Sequence, residues 1–344
     1  MNDSEIIELV DNQPPMHSLQ QAFYRDPDIY EQDIERIYLR SWLYAGHQSE
    51  IPNPGDWFLF EFANESVIIV RSAENEINAL VNVCRHRGSR VCIEHKGSSK
   101  NLRCRYHGWS YDLRGQLMAA AHMDESFDKS GIALRKIHVG LLDGLIFVNF
   151  ADEPSDFKAV QEGLAECLRP YRLADAKVAH RQSYPIAANW KLAVENYCEC
   201  YHCAPSHPEY SMGHSLAYPE ARSADLHRAV MARAGACGLS DKTVIANYEK
   251  APGFGADYCF ERYPLIRDHV TGSEDGKPLA PLLGDIREYD GGATDLQVGP
   301  VTFALIYCDH VVIYRFTPLS HDLSLIHISE PTRLVHSSRM PSSA

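Results

Sequence analysis

Two short stretches of this chain carry one thiol and one imidazole each: Cys84-Arg85-His86 and Cys104-Arg105-Tyr106-His107. Two thiolates on one iron and two neutral imidazoles on a second are the protein ligands of a mixed-ligand [2Fe–2S] cluster. Its nitrogen ligands raise the reduction potential above that of an all-Cys cluster. The competing use of the same four side chains is a structural Cys2His2 zinc site. Zinc motifs commonly pair Cys with Cys and His with His, whereas each stretch here mixes the two at unequal spacing. The pattern favours the cluster and leaves zinc as its alternative.

A second group of donors lies further on. Asn189-Trp190-Lys191 is followed by Glu195-Asn196-Tyr197-Cys198-Glu199-Cys200-Tyr201-His202-Cys203-Ala204-Pro205-Ser206-His207-Pro208. The pattern predicts a helix over residues 190–203 with Asn196, Glu199 and His202 on one face. Pro205 is expected to end it, and His207 to return from a loop. Two imidazoles and a carboxylate leave positions open on a non-haem Fe(II) where O2 and substrate meet. Taken singly, His202 and His207 are ordinary histidines and Glu199 is a solvated helix charge. Their spacing beside the first group makes them ligand candidates. Cys200-x-x-Cys203, with Cys198 beside it, reads as a redox pair or as buried helix residues, and the second reading is favoured.

Asn82-Val83-Cys84-Arg85-His86-Arg87-Gly88 and Tyr106-His107-Gly108-Trp109-Ser110-Tyr111-Asp112 resemble the Rieske domain of ring-hydroxylating oxygenase large subunits. The Asn-Trp-Lys stretch followed by Glu199-x-x-His202-x-x-x-x-His207 is similar to the iron motif of the same Rieske non-haem iron oxygenases. The resemblance implies that Cys84, His86, Cys104 and His107 hold the Rieske cluster and that His202 and His207 bind a mononuclear Fe(II). It makes Glu199 the acid that links His202 to His107 of the partner subunit in a head-to-tail homotrimer. It also implies electrons from NAD(P)H, delivered through a flavin/iron–sulfur reductase or a ferredoxin.

Glu at the bridging position, and the text of residues 199–209, resemble the quaternary ammonium branch that acts on glycine betaine and carnitine. That branch implies a terminal monooxygenase that hydroxylates a carbon next to nitrogen, with C–N cleavage. An aromatic-ring dioxygenase alpha subunit is one alternative. A Rieske electron-transfer protein without oxygenase activity is another. A quaternary ammonium site calls for aromatic faces. Tyr197, Tyr201, Tyr258, Phe260 and Tyr263 are candidates, with core packing the default for each.

The elements that must position these groups point to an α+β fold. We expect a helical arm over 1–40, containing one helix, then a small all-β Rieske domain over 41–150. Asp56–Phe62, Ser66–Val70 and Gly144–Phe150 read as strands, Ala73–Asn78 as a polar turn, and Leu113-Arg114-Gly115 as the turn of a hairpin. A catalytic domain of helices flanking an antiparallel sheet follows over 151–322. It opens with an amphipathic helix carrying Phe157, Val160, Leu164, Cys167 and Leu168 on one face. A further helix is expected over 222–236, and strands over Pro300–Tyr307 and Val311–Phe316.

The chain has 344 residues, 45% of them hydrophobic, and a net charge of −13. That charge argues against nucleic-acid or anionic-membrane partners. No apolar run reaches membrane-spanning length, and the acidic start lacks a signal-peptide n-region. Ten cysteines without a secretory context fit a reducing cytoplasm.

Leu323-Ser324-Leu325-Ile326-His327-Ile328-Ser329-Glu330-Pro331-Thr332-Arg333 resembles the in-frame translation of a transposon-end sequencing adapter, and 338–344 resembles the flow-cell adapter that follows it. Residues 323–344 are therefore expected to be a non-native tail on a catalytic domain that is C-terminally truncated. The resemblance places the third iron ligand on an Asp of a later helix. Asp309 and Asp322 are the nearest carboxylates here, and neither is favoured.

Overall fold

The computed structural model describes residues 1–333 except 125, 215–219, 240–246, 250–254 and 256. The chain divides into two compact units, Tyr44–Pro154 and the combination of Met1–Leu43 with Ser155–Ala344. Among the described residues no helix is long and apolar enough to cross a membrane.

The Tyr44–Pro154 unit is built from β1 (Leu43–His47), β2 (Asp56–Phe62), β3 (Glu65–Arg71), β4 (Ile77–Val81), β5 (Lys96–Ser98), β6 (Leu102–Arg103), β7 (Ser110–Tyr111), β8 (Leu117–Ala119), β9 (Lys136–Leu142) and β10 (Leu145–Asn149). Seven of these form a sheet in the order β1-β10-β9-β4-β3-β2-β5, and β6-β7-β8 form a small second sheet. The β-branched run Val67–Val70 is fully buried, as a strand packed on both faces requires. One apolar cluster joins Ile68, Val70 and Leu80 to Leu102, Trp109 and Tyr111, and it includes Cys84 and Cys104. The polar turn expected over Ala73–Asn78 is shorter than predicted, because β4 begins at Ile77.

The other unit opens with three helices in place of the single one expected: α1 (Asp3–Asp11), α2 (Ala22–Arg25) and α3 (Pro27–Arg36). Asn2 closes a capping box on α1. Asp26 caps α3, with Pro27 in the first turn, both standard start signals. After α4 (Lys158–Leu168), which buries Val160, Leu164, Cys167 and Leu168, the chain forms β11 (Lys177–Ile186), α5 (Trp190–Cys198), α6 (Cys203–Ser206), α7 (Pro208–Gly213) and α8 (Glu220–Cys237). Strands β12 (Asn247–Glu249), β13 (Tyr258–Pro264), β14 (Gly292–Val298), β15 (Thr302–Ile306), β16 (Val311–Ser320) and β17 (Leu323–Thr332) follow. The resulting antiparallel sheet has the order β11-β17-β16-β15-β14-β13-β12.

Most of the segment expected to be a non-native tail forms strand β17. Residues 323–332 lie between two strands, pairing Ser329 with Ile313 on one side and with Arg181 on the other. The reason is the pattern of the segment. Ser324, Ser329 and Thr332 are buried, Ser324 Oγ donates to Ala188 O at 2.9 Å, and β11 and β16 each offer an otherwise unpaired edge. The rest of the expected tail, 334–344, lies outside the described residues.

Candidate metal and active site

The two donor stretches of the smaller unit fold into matching turns. Each Cys amide donates across the turn, Cys84 N to Ser89 O at 2.8 Å and Cys104 N to Trp109 O at 2.9 Å. Each Cys carbonyl then accepts from a glycine, Gly88 N and Gly108 N, both at 3.0 Å. Those glycines sit at φ 74° and 75°, a left-handed backbone that strains any side chain. Asn82 fixes the base of the first turn. Its Oδ1 accepts from Val91 N at 3.0 Å and Cys92 N at 2.8 Å, and its Nδ2 donates to Cys92 O and to Ser66 Oγ.

The sulfurs face the core and the imidazoles face out. Cys84 and Cys104 are buried and unbridged, whereas His86 is exposed and His107 half-buried. The two imidazoles meet edge to face at 4.6 Å between centroids, and His86 stacks on Trp109 at 4.8 Å. Desolvation, then the neighbouring His86, Arg87 and His122, hold His107 below its ordinary pKa. It is therefore neutral at neutral pH, as a ligand must be. The Tyr111 hydroxyl lies 3.2 Å from Cys84 Sγ and accepts from Arg85 N at 3.0 Å.

Each iron of a dinuclear cluster takes two protein ligands, and the two buried thiols and the two facing imidazoles supply one pair each. The four residues fit the cluster.

The second group is assembled by a different route. Asn189 caps α5, its Oδ1 accepting from Lys191 N at 3.0 Å, and its Nδ2 donates to His321 O at 2.8 Å. Trp190 Nε1 donates to Asp33 of α3 at 3.0 Å, and Lys191 forms a buried ion pair with the same carboxylate. The Asn-Trp-Lys stretch is thus the bolt that fastens α5 to the N-terminal arm.

The helix expected over 190–203 stops at Cys198, where Glu199 turns extended at φ −118°, ψ 141°. Two interactions end it. Tyr197 packs on Phe303 at 4.4 Å and donates to Asp295 at 3.3 Å. The Glu199 carboxylate folds onto His202, accepting from its Nδ1 at 2.5 Å and its backbone N at 3.4 Å. Glu199 and His202 therefore meet through a turn and not on a helix face. Pro205 lies inside the short α6 and does not end the longer helix, and His207 joins α6 to α7. The His202 and His207 rings stand 5.3 Å apart and nearly perpendicular.

With its Nδ1 proton donated to Glu199, His202 presents Nε2 as its free donor atom. These two imidazoles fit two of the protein ligands of a non-haem iron. Asp309 is not a third, because it is buried and accepts from Thr271, His310, Leu279 N and Tyr289. Asp322 is exposed and accepts from Ser320. Cys198 and Cys200 are exposed and only Cys203 is buried, which corrects the reading of all three as buried helix residues.

Of the aromatic candidates, Tyr197 of α5 packs on Tyr314, and Tyr263 shares a cluster with Tyr307, Tyr314 and Tyr210 of α7. Tyr258 and Phe260 are buried core residues, and Tyr201 is 88% exposed. The sequence reading missed the roles of Asn82, Tyr111, Asp33 and Lys191. Only the polar character of Asn82 in an otherwise apolar approach to the first turn hinted at any of them.

Known proteins resemble this chain in sequence and in fold. The Rieske [2Fe-2S] domain family matches residues 41–137, and the catalytic domain of the ring hydroxylating alpha subunit matches residues 173–329. The glycine betaine monooxygenase oxygenase subunit of Pseudomonas aeruginosa is 34% identical over 311 residues, covering 90% of this chain and 72% of that protein. Benzene 1,2-dioxygenase subunit alpha of Pseudomonas putida is 35% identical over 208 residues, covering 58% of this chain and 46% of that one. The solved structure of a quaternary ammonium Rieske monooxygenase, described for carnitine oxidation and inter-subunit electron transfer, has the same fold. It superposes with TM-score 0.68 at 21% identity, covering 91% of this chain and 76% of that one. Members of this family hold a [2Fe–2S] cluster and a non-haem iron, take electrons from a reductase or ferredoxin and form oligomers. The chain belongs to the Rieske non-haem iron oxygenases.

Proposed function

We propose that this chain is the terminal oxygenase of a monooxygenase acting on a quaternary amine such as glycine betaine. It would hydroxylate a carbon next to nitrogen, after which the C–N bond breaks to release dimethylglycine and formaldehyde. The observation that carries this reading is the extent of the likeness. The glycine betaine relative matches over 90% of the chain, the ring dioxygenase over 58%.

Tyr197, Tyr210, Tyr263, Tyr307 and Tyr314 pack in one aromatic cluster beside Asp295, and aromatic rings are the neighbours a quaternary ammonium group prefers. When bound, the iron activates O2 and the cluster supplies the electrons. In this reading Cys84, His86, Cys104 and His107 hold the cluster, and His202 and His207 hold the iron. Glu199 keeps His202 in the Nδ1–H form and links it to His107 of the partner subunit in a homotrimer.

The test is turnover of glycine betaine with a reductase, NAD(P)H and O2, read as formaldehyde and dimethylglycine. Formation of a cis-diol from benzene, with no formaldehyde from the amine, would favour the dioxygenase. About three irons per chain are expected, and about two would favour an electron carrier.

A further inference from the structure

We propose that Cys200 and Cys203 are a site of oxidative modification, a thiol pair that closes to a disulfide around His202 and releases the mononuclear iron. The proposal rests on His202 as an iron ligand. Its covalent part stands without that assignment.

The geometry carries it. Cys203 N donates to Cys200 O at 3.0 Å, so Cys200-Tyr201-His202-Cys203 is a closed turn. Such a turn keeps its end Cα atoms within about 7 Å, overlapping the roughly 4.4–6.8 Å that a disulfide spans. The two thiols are close enough for each to perturb the other. Cys200 is exposed and Cys203 is buried behind it, which gives one sulfur that an oxidant reaches and one placed to resolve the product. Cys203 Sγ also lies 4.0 Å from His202 Nε2, the nitrogen that Glu199 leaves free. The candidate iron ligand is therefore inside the loop that the disulfide would tighten.

The oxidant is hydrogen peroxide, which forms whenever O2 is reduced by two electrons without oxidation of substrate. The Cys200 sulfur attacks one peroxide oxygen, the O–O bond breaks, and water leaves, giving Cys200 sulfenic acid. The Cys203 sulfur then attacks the Cys200 sulfur and a second water leaves. Overall, two thiols lose two electrons and two protons, and one peroxide becomes two waters. Drawing Cys203 onto Cys200 displaces His202 from its bond with Glu199. Disturbing a ligand held in this way costs about 10–100-fold in metal affinity.

The experiment treats the reduced holoprotein with hydrogen peroxide, alkylates free thiols, digests without reductant and maps the peptides. Iron retained against a chelator and the visible cluster absorption are read in parallel. Expected are a Cys200–Cys203 linkage, loss of the mononuclear iron with the cluster absorption kept, and reversal of both by dithiothreitol with Fe(II). The Cys200→Ser variant is expected to turn over normally without peroxide, to form no linkage and to keep its iron. A Cys198–Cys200 linkage, or sulfinic acid without linkage, would overturn the proposal. So would equal iron loss in Cys200→Ser. The underlying assignment is checked separately. If His202→Ala keeps its full iron content, the iron reading fails even where the linkage is found.

Discussion

Cys84 and Cys104 sit in matching backbone turns, each closed by two main-chain hydrogen bonds, whereas His202 sits between short helices and is aimed by one carboxylate. The first arrangement belongs to a buried apolar cluster. The second depends on a side-chain contact at the end of a helix, where local opening costs least. An electron carrier gains from a fixed cage. An iron that must admit O2 and substrate gains from open positions and ligands able to adjust.

The sharpest way to break this comparison removes a proposed ligand from each side. Cys84→Ser is expected to abolish the cluster absorption and activity together. His202→Ala is expected to abolish activity while the absorption persists, so loss of both signals in the second variant would show that the sites are not independent. Next in size is Asn82→Ala, which strands the buried Val91 and Cys92 amides. It should cost about 2–4 kcal/mol, measured as a drop in melting temperature of the cluster-bearing unit.

Glu199→Ala tests the other side and is expected to weaken iron retention about 10–100-fold, with no change in melting temperature beyond scatter. Tyr111→Phe removes the hydroxyl beside Cys84 Sγ. A sulfur hydrogen bond stabilises the reduced cluster, so its loss should lower the potential by roughly 40 mV, the equivalent of about 1 kcal/mol.

The smallest effect is on pH dependence. Burial raises Asp295 from its ordinary 3.8 to about 6. The folded state holds that proton more tightly than the unfolded one. The resulting stabilisation is complete below about 4 and is lost as pH rises through about 6. Asp295→Asn should flatten the stability profile across that window, and an unchanged profile would place the titration elsewhere.

The α+β architecture and the two Cys/His stretches were legible because their signals are local. Each stretch carries its thiol and imidazole within four residues, and alternation marks the strands. The end of α5 was not legible. Residues 190–203 carry a helical pattern, but Tyr197 is claimed by Asp295 and Phe303 from distant strands, and Glu199 by His202. The meaning of Asn189-Trp190-Lys191 was hidden for the same reason, since the partner Asp33 lies more than a hundred residues away in sequence. Spacing reports which residues are candidates, while tertiary contacts decide where their backbone bends.

The placement of β17 has a consequence for handling this protein. Without residues 323–332, the edges of β11 and β16 would face each other across a slot one strand wide, with their main-chain donors and acceptors open. Two such rails act as a template for any extended peptide. A chain shortened before Leu323 would therefore be prone to capture strands from its neighbours. A synthetic peptide of residues 323–332 supplied during refolding should compete with that capture and keep the protein dispersed.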